Sequence, residues 1–255
     1  MRHGAWILAA LALLLSACSH RLTVMTYNVG VFSKYGGSSL PQVAEAVAAA
    51  GAGYVSLNEL DSCNRRHPSY QLEELSRALG GWGFHFASAF PFAGGGYGNG
   101  VVSRHRILHR DSVPLPRLEG LEPRSVAVVE TAECVFASTH LDVKDAAVSE
   151  AQARIINDWF RARYAGCRKP VFLCGDMNAR PGSRTLQALG EAWTLLSGED
   201  PTYPSGEPRA CLDYVFCLTE ARPVRVVSRQ VGAASSRAGI PPASDHLPVV
   251  VEIVY

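Results

Sequence analysis

The chain has almost no charge excess: 24 Lys and Arg stand against 23 Asp and Glu, a formal net charge of +1. That balance sets up no field strong enough to announce a nucleic-acid or membrane partner, and it does not exclude a nuclease, because metal ions in the site can supply the positive charge. No pair of cysteines has zinc-site spacing, so a structural zinc is not expected. The glycine-rich stretch Gly94-Gly95-Gly96-Tyr97-Gly98-Asn99-Gly100 lacks a following Lys-Ser/Thr and precedes a strand-like run. It is therefore read as a turn-forming loop, not a phosphate loop. There is no internal repeat and no low-complexity linker. With 47% apolar and 18% charged residues over 255 positions, disorder is excluded, and one large domain with a proper core is expected.

The one long apolar run is N-terminal. Trp6 to Leu15 is too short to cross a bilayer and, behind Met1-Arg2-His3, has the form of a secretory signal. It closes with Leu15-Ser16-Ala17-Cys18, which resembles the lipobox of bacterial lipoproteins, where the signal is cut before an acylated cysteine. Residues 1–17 are accordingly expected to be a signal peptide of the lipoprotein type, with 18–255 as the mature domain. Cys18 would then anchor an exported protein to a membrane of the bacterial envelope. Two or more acyl chains hold stably, each buried methylene contributing about 0.8 kcal/mol. The plainer alternative is an ordinary signal cut after Ala17, with Cys18 incidental. An exported chain permits disulfides among Cys63, Cys134, Cys167, Cys174, Cys211 and Cys217, but the pairing is not readable; Cys134 and Cys174 lie in apolar runs and read equally as small buried residues.

Strand-like segments are Leu22–Val29, Tyr54–Leu57, Val135–Thr139, Val171–Cys174, Asp213–Cys217, Val224–Val227 and Val249–Val254, with short alternating strands between Gly83 and Glu130. Helices are expected over Pro41–Ala50 (Pro in the first turn, Gly51 as stop), Tyr70–Leu79 and Ala146–Tyr164, the last with Ile155, Ile156, Trp159 and Phe160 on one face. Strands interleaved with a few helices over this length predict an α/β fold. We expect a four-layer sandwich, two packed and mostly antiparallel sheets flanked by helices.

Polar clusters punctuate the ends of these strands: Tyr27-Asn28, Asn58-Glu59, Thr139-His140, Gly175-Asp176-Met177-Asn178 and Ser244-Asp245-His246-Leu247-Pro248. Asp213 sits inside an apolar strand, where a carboxylate needs a partner. Singly, each has a bland reading: a turn Asn, a solvated Glu, a core His, an Asx turn at Asp176-Asn178. Jointly, carboxylate, amide and imidazole groups describe one metal-dependent hydrolytic site. Glu59 with Asn28 suits Mg²⁺, Asp245 faces the metal, and Asp176 orients or deprotonates the attacking water. Asn178 holds that water and a phosphoryl oxygen, and His140 donates a hydrogen bond to the phosphate. His246 serves as general base or positioning group, its tautomer set and its pKa raised by Asp213.

The series T-Y-N-V, L-N-E-L-D, S-R, S-T-H-L-D, G-D-M-N-A-R-P-G-S, L-D-Y-V-F and S-D-H-L-P-V resembles the endonuclease/exonuclease/phosphatase superfamily over Leu22–Tyr255. The resemblance implies a four-layer sandwich, Mg²⁺ (or Mn²⁺) dependence and hydrolysis of phosphate esters. Its positions here are Asn28, Glu59, His140, Asp176, Asn178, Asp213, Asp245 and His246, and Arg104 matches a further common position. Asn58 stands where the family usually has Gln, a change that keeps the amide. His140 stands where abasic-site repair nucleases carry Tyr, which points toward the deoxyribonuclease, sphingomyelinase and inositol-phosphatase branches; an export signal agrees.

The expected activity is hydrolysis of a phosphate ester (nucleic acid, phospholipid or inositol phosphate), foremost a diester, by a monomer. A nuclease would track a backbone with Arg65-Arg66 and Arg104-His105-Arg106. A lipid phosphodiesterase would need exposed aromatics, for which Trp82, Phe84, Phe90 and Phe92 are candidates, although their alternation reads as core. The alternative from another class is a non-catalytic module binding a lipid or glycan on the same fold, which predicts that site groups are missing; every one is present.

Overall fold

A computed structural model of the chain describes residues 20–232 and 243–255; the expected signal peptide and Cys18 lie outside them. Twelve strands form two six-stranded sheets. In the first, β11 (Arg225–Val231), β12 (Val249–Val254), β1 (Arg21–Asn28), β2 (Tyr54–Ser62), β4 (Gly95–Ser103) and β3 (Gly83–Phe92) lie side by side in that order. The second runs β5 (His109–Leu115), β6 (Arg124–Glu130), β7 (Val135–His140), β8 (Val171–Asp176), β10 (Asp213–Leu218) and β9 (Trp193–Leu195). Four α-helices complete the described residues: α1 (Leu40–Ala50), α2 (Gln71–Ala78), α3 (Ala146–Tyr164) and α4 (Arg184–Gly190). None is long and apolar enough to cross a membrane.

Three apolar clusters make the four layers. The central one joins the sheets through Val24, Val101, Phe136, Phe172, Cys174, Val215 and Val251. The outer two place Met25, Tyr27, Val55 and Leu57 against α1 and α2, and Ala137, Leu173 and Phe216 against α3 and α4. The β8 residues alternate strictly between layers: Val171 and Leu173 face the helices, Phe172 and Cys174 the other sheet. A strand covered on both faces reads as a continuous apolar run, which is why β1, β7 and β8 were plain in the sequence.

Each sheet contains one parallel pair, β1 with β2 and β7 with β8; every other pairing is antiparallel. A parallel pair delivers two C-terminal ends to the same edge, and an antiparallel neighbour adds its N-terminal end. Asn28 is thus level with Asn58, and His140 with Asp176, while Asp213 at the start of β10 faces Asp176. The segment before β12 arrives at the same edge, because Val249 pairs with Thr26 near the end of β1. Topology alone gathers the polar clusters at one end.

Several local expectations are corrected. β2 runs on to Ser62 through a bulge, in which Asn58 and Glu59 both oppose Asn99 and Glu59 takes φ +56°. The glycine run is mostly strand: only Ala93 and Gly94 turn, and β4 needs its glycines because a Cβ on Gly98 would lie 2.1 Å from the Ala87 carbonyl oxygen. Helix α4 and strand β9 were not foreseen. On α3, Ile156 and Phe160 are buried but Ile155 is exposed, since consecutive residues point 100° apart on a helix. All six cysteines within the described residues are free thiols.

Candidate active site

The edge where the polar strand ends meet opens into a cavity of about 390 Å³, lined among others by Lys34, Glu59, Arg124, His140, Asp176, Asn178, Asp245 and His246. Asp176 is at its centre and is buried. Gly175 makes that placement feasible: its φ is +144°, and a Cβ there would fall 1.8 Å from the Thr139 carbonyl oxygen on β7. The next turn folds back on itself, the Asn178 N–H donating to Asp176 Oδ1 at 2.9 Å with Asn178 in the left-handed region, φ +47°.

Two amides stitch the sheets together over this carboxylate. Asn28 Nδ2 donates to Glu59 Oε1 and to Asp176 Oδ2, both at 3.0 Å, while its carbonyl accepts from the Gly30 N–H at 3.1 Å. Its side-chain carbonyl accepts from the chain, and Asn28, expected from the sequence beside the metal, orients two carboxylates. Asn58 accepts from the Asp176 N–H at 3.0 Å and donates to the Thr139 carbonyl at 2.8 Å, a wholly buried tie between β2, β7 and β8.

His246 Nδ1 pairs with Asp213 Oδ2 at 2.8 Å, and Nε2 lies 3.6 Å from Asp176 Oδ2. Burial would lower the proton affinity of His246, but the Asp213 carboxylate, with help from Asp176 and Asp245, raises its pKa to about 9. Burial and the nearby Asp213 charge push Asp176 up to about 7. His140 differs: burial and then the Arg124 charge hold it well below the ordinary imidazole value. Asn178 Nδ2 donates to His140 Nε2 at 2.8 Å and to the Leu141 carbonyl at 3.0 Å, so His140 is a neutral ring protonated at Nδ1.

Three site groups had no signal in the sequence. Lys34 follows a short 3₁₀ turn (Gly30–Phe32) after β1, and its ammonium pairs with Asp245 Oδ2 at 2.9 Å. Asp245, expected to face a metal, also pairs with this cation of its own chain. Thr202, buried in the loop before β10, donates from Oγ1 to Asp213 Oδ2 at 2.5 Å and accepts from the Leu212 and Asp213 N–H groups. Arg124, also buried, has Glu122 as an ion-pair partner and an unpaired Nε. A spacing pattern could not reveal them, because each is a single residue in a loop or at a strand start.

Two basic candidates fall elsewhere. Arg104 donates its N–H to the Gly53 carbonyl, beside the start of β2, so Arg104-His105-Arg106 occupy the opposite edge of the sandwich. Arg66 is near the cavity, but its guanidinium is bound to buried Asp61.

The donor set fits a hard divalent cation. Asp176, Asp213 and His246 present ligand atoms all within 4.8 Å of one another, Asp213 Oδ1 is buried without a partner, and Glu59 and Asp245 add carboxylates to the same cavity. Crowded buried carboxylates are the arrangement a bound cation relieves.

The fold has close counterparts among solved structures. An endonuclease/exonuclease/phosphatase from Beutenbergia cavernae superposes with a TM-score of 0.71 at 24% identity, over 91% of this chain and 71% of that one. A mannosyl-6-phosphatase from Bacteroides thetaiotaomicron gives 0.74 at 17% identity, over 92% and 100%. TDP2 from D. rerio, complexed with a single-strand DNA product, gives 0.70 at 16% identity, over 91% and 98%. In sequence, nocturnin from Homo sapiens is 25% identical over 190 residues, 61% of this chain; the chain spans 42% of nocturnin's length. The endonuclease/exonuclease/phosphatase family model matches residues 25–246, a span that runs from before Asn28 to His246. The chain belongs to the endonuclease/exonuclease/phosphatase family, whose members are hydrolases of phosphate esters.

Proposed function

We propose that the protein is a Mg²⁺-dependent phosphodiesterase (Mn²⁺ serving in its place) in which Asp176 is the base and His246 the acid side of the site. The observation that carries this reading is the sharing of one buried edge by Asp176, Asp213 and His246, with Asp176 and His246 both raised in proton affinity. A carboxyl poised near neutrality can accept a proton from water, and an imidazolium held by Asp213 can donate from Nε2 to a phosphoryl oxygen. His246 therefore acts as donor and positioning group, and the base role passes to Asp176. Asn178 holds the neutral His140 ring in place, and His140 lines the wall against which the phosphate rests. Glu59, oriented by Asn28, and Asp245 would hold the cation, whose chemistry when bound is to neutralise phosphoryl oxygens and acidify water.

The sequence extends the proposal to location: export under residues 1–17 and a lipid anchor at Cys18 would put the activity at the bacterial envelope. Cys18→Ala should then lose its lipid mass and leave the membrane fraction, whereas a wild type that is soluble and unlipidated ends that part of the proposal.

The activity is tested with the purified chain on bis-p-nitrophenyl phosphate, DNA, sphingomyelin and inositol phosphates, with Mg²⁺ and with chelator. Metal-dependent release from at least one diester is expected. Inactivity on all of them, or turnover confined to monoesters, contradicts the reading.

A further inference from the structure

A second cavity, of about 420 Å³, opens beside the first and shares Lys34, Glu59, Tyr97 and Glu122 with it. Its far wall has no part in the chemistry above. Phe90, Phe92 and Tyr97, on either side of the β3–β4 turn, form a half-buried cluster with ring centroids 5.3 to 6.3 Å apart. The Arg66 guanidinium completes the wall, 4.6 Å from the Phe92 ring centre and 5.7 Å from that of Tyr97.

Arg66 is not placed as a loose phosphate clamp. Its Nε and Nη2 donate to Asp61 Oδ2 and Oδ1 at 2.7 and 2.8 Å, and Asp61, fully buried, also pairs with His67. This fork geometry neutralises the guanidinium charge and locks its plane. Together the four groups form one wall of the cavity, its rings inclined at 50° to 84° to one another and its guanidinium held in place. Neither cation that lines this cavity is free, since Arg66 is bound to Asp61 and Lys34 to Asp245, so the occupant is an uncharged part of a molecule whose phosphate lies in the neighbouring cavity. A cavity of this size holds one ring-bearing group, not a run of bases or paired acyl chains. Aromatic faces and a stacked guanidinium attract planar π systems in particular.

We propose that Arg66, Phe90, Phe92 and Tyr97 form the subsite for the organic group of the ester, and that it takes one aromatic ring of the kind a nucleobase presents. The proposal rests on the phosphodiesterase reading in one respect, that phosphate occupies the adjoining cavity.

Calorimetric titration of the full chain with Mg²⁺ tests it without requiring turnover. Methylphosphonate and phenylphosphonate share a head group and differ in the ring; thymidine 5′-phosphate and mannose 6-phosphate compare a base with a sugar. Phenylphosphonate and thymidine 5′-phosphate are expected to bind roughly tenfold tighter than methylphosphonate, the low end of what one stacked ring contributes. Phe92→Leu, which keeps an apolar side chain but removes the ring, should close that gap, as should Phe90→Leu in part. Equal affinities, mannose 6-phosphate as the tightest ligand, or an unchanged gap in both variants that melt like wild type would overturn the subsite. Ring discrimination in a protein that hydrolyses no ester keeps the subsite and removes the phosphodiesterase reading; hydrolysis without discrimination does the reverse.

Discussion

The two edges of the sandwich both bury polar networks, and they bury them differently. At the edge where β2 begins, Tyr54 donates to Glu133 and pairs with Thr131, His105 pairs with the same Glu133 at 3.1 Å, and Lys169 binds Glu130 and the Thr131 carbonyl. These groups satisfy one another. At the other edge, His140 Nδ1, Asp213 Oδ1 and Arg124 Nε are buried with no partner, and three acidic or imidazole groups are displaced from their ordinary proton affinities. An unmade buried hydrogen bond costs roughly 1–3 kcal/mol, so a fold keeps such groups together only where something else is to meet them. A closed network stabilises the sandwich; an open one awaits a ligand.

The sharpest way to break that contrast is at the open edge. His246→Ala should cost ~10² or more in turnover of bis-p-nitrophenyl phosphate while the protein still folds, if the proposed role as proton donor holds. Near-wild-type turnover would sink the assigned role. Thr202→Val should cost about tenfold, chiefly in kcat, since the hydroxyl only fixes Asp213 and through it the His246 ring. An unchanged kcat would show that Asp213 needs no such support.

A third expectation concerns pH. Asp176, raised from 3.8 to about 7, and His246, raised from 6.5 to about 9, both bind protons more tightly folded than unfolded. Their contribution to stability is therefore full at low pH and drains as pH rises, through about 7 for Asp176 and about 9 for His246. In chelator, Tm should fall between about pH 5 and pH 9. Added Mg²⁺, whose charge relieves the same crowding of carboxylates that protons relieve, should raise Tm more at about pH 8 than at pH 5. A metal-free Tm that climbs across this window contradicts the assignment. The smallest effect belongs to the closed edge. Tyr54→Phe should cost about 1–2 kcal/mol in chemical denaturation, with kcat within about twofold of wild type. A large loss of activity there would erase the distinction between the two edges.

Much of this was legible before the structure. Strands covered on both faces announce themselves as apolar runs, and a polar residue at the end of such a run has few reasons to be there, so Asn28, His140, Asp176 and Asp213 stood out. What was hidden depends on three-dimensional registration. The bulge that turns Glu59 into the cavity is a mismatch of one residue between β2 and β4, and no local pattern in β2 encodes it. The same glycines that suggest a loop are needed in β4 because neighbouring strands crowd it. Lys34, Thr202 and Arg124 act through partners more than eighty residues away or in unpatterned loops. Basic pairs mislead for a related reason: Arg66 and Arg104 look alike as charges, yet one is locked to Asp61 beside the cavity and the other sits at the far edge.

We propose that the open edge is a metal-dependent hydrolytic centre with Asp176 as its base. Its most direct measurement is the rate of bis-p-nitrophenyl phosphate hydrolysis by wild type and by Asp176→Asn, each with Mg²⁺ and with chelator. Turnover is expected only in wild type with Mg²⁺, with a loss of ~10² or more in the variant. Equal rates with and without metal, or an Asp176→Asn protein as fast as wild type, would contradict it.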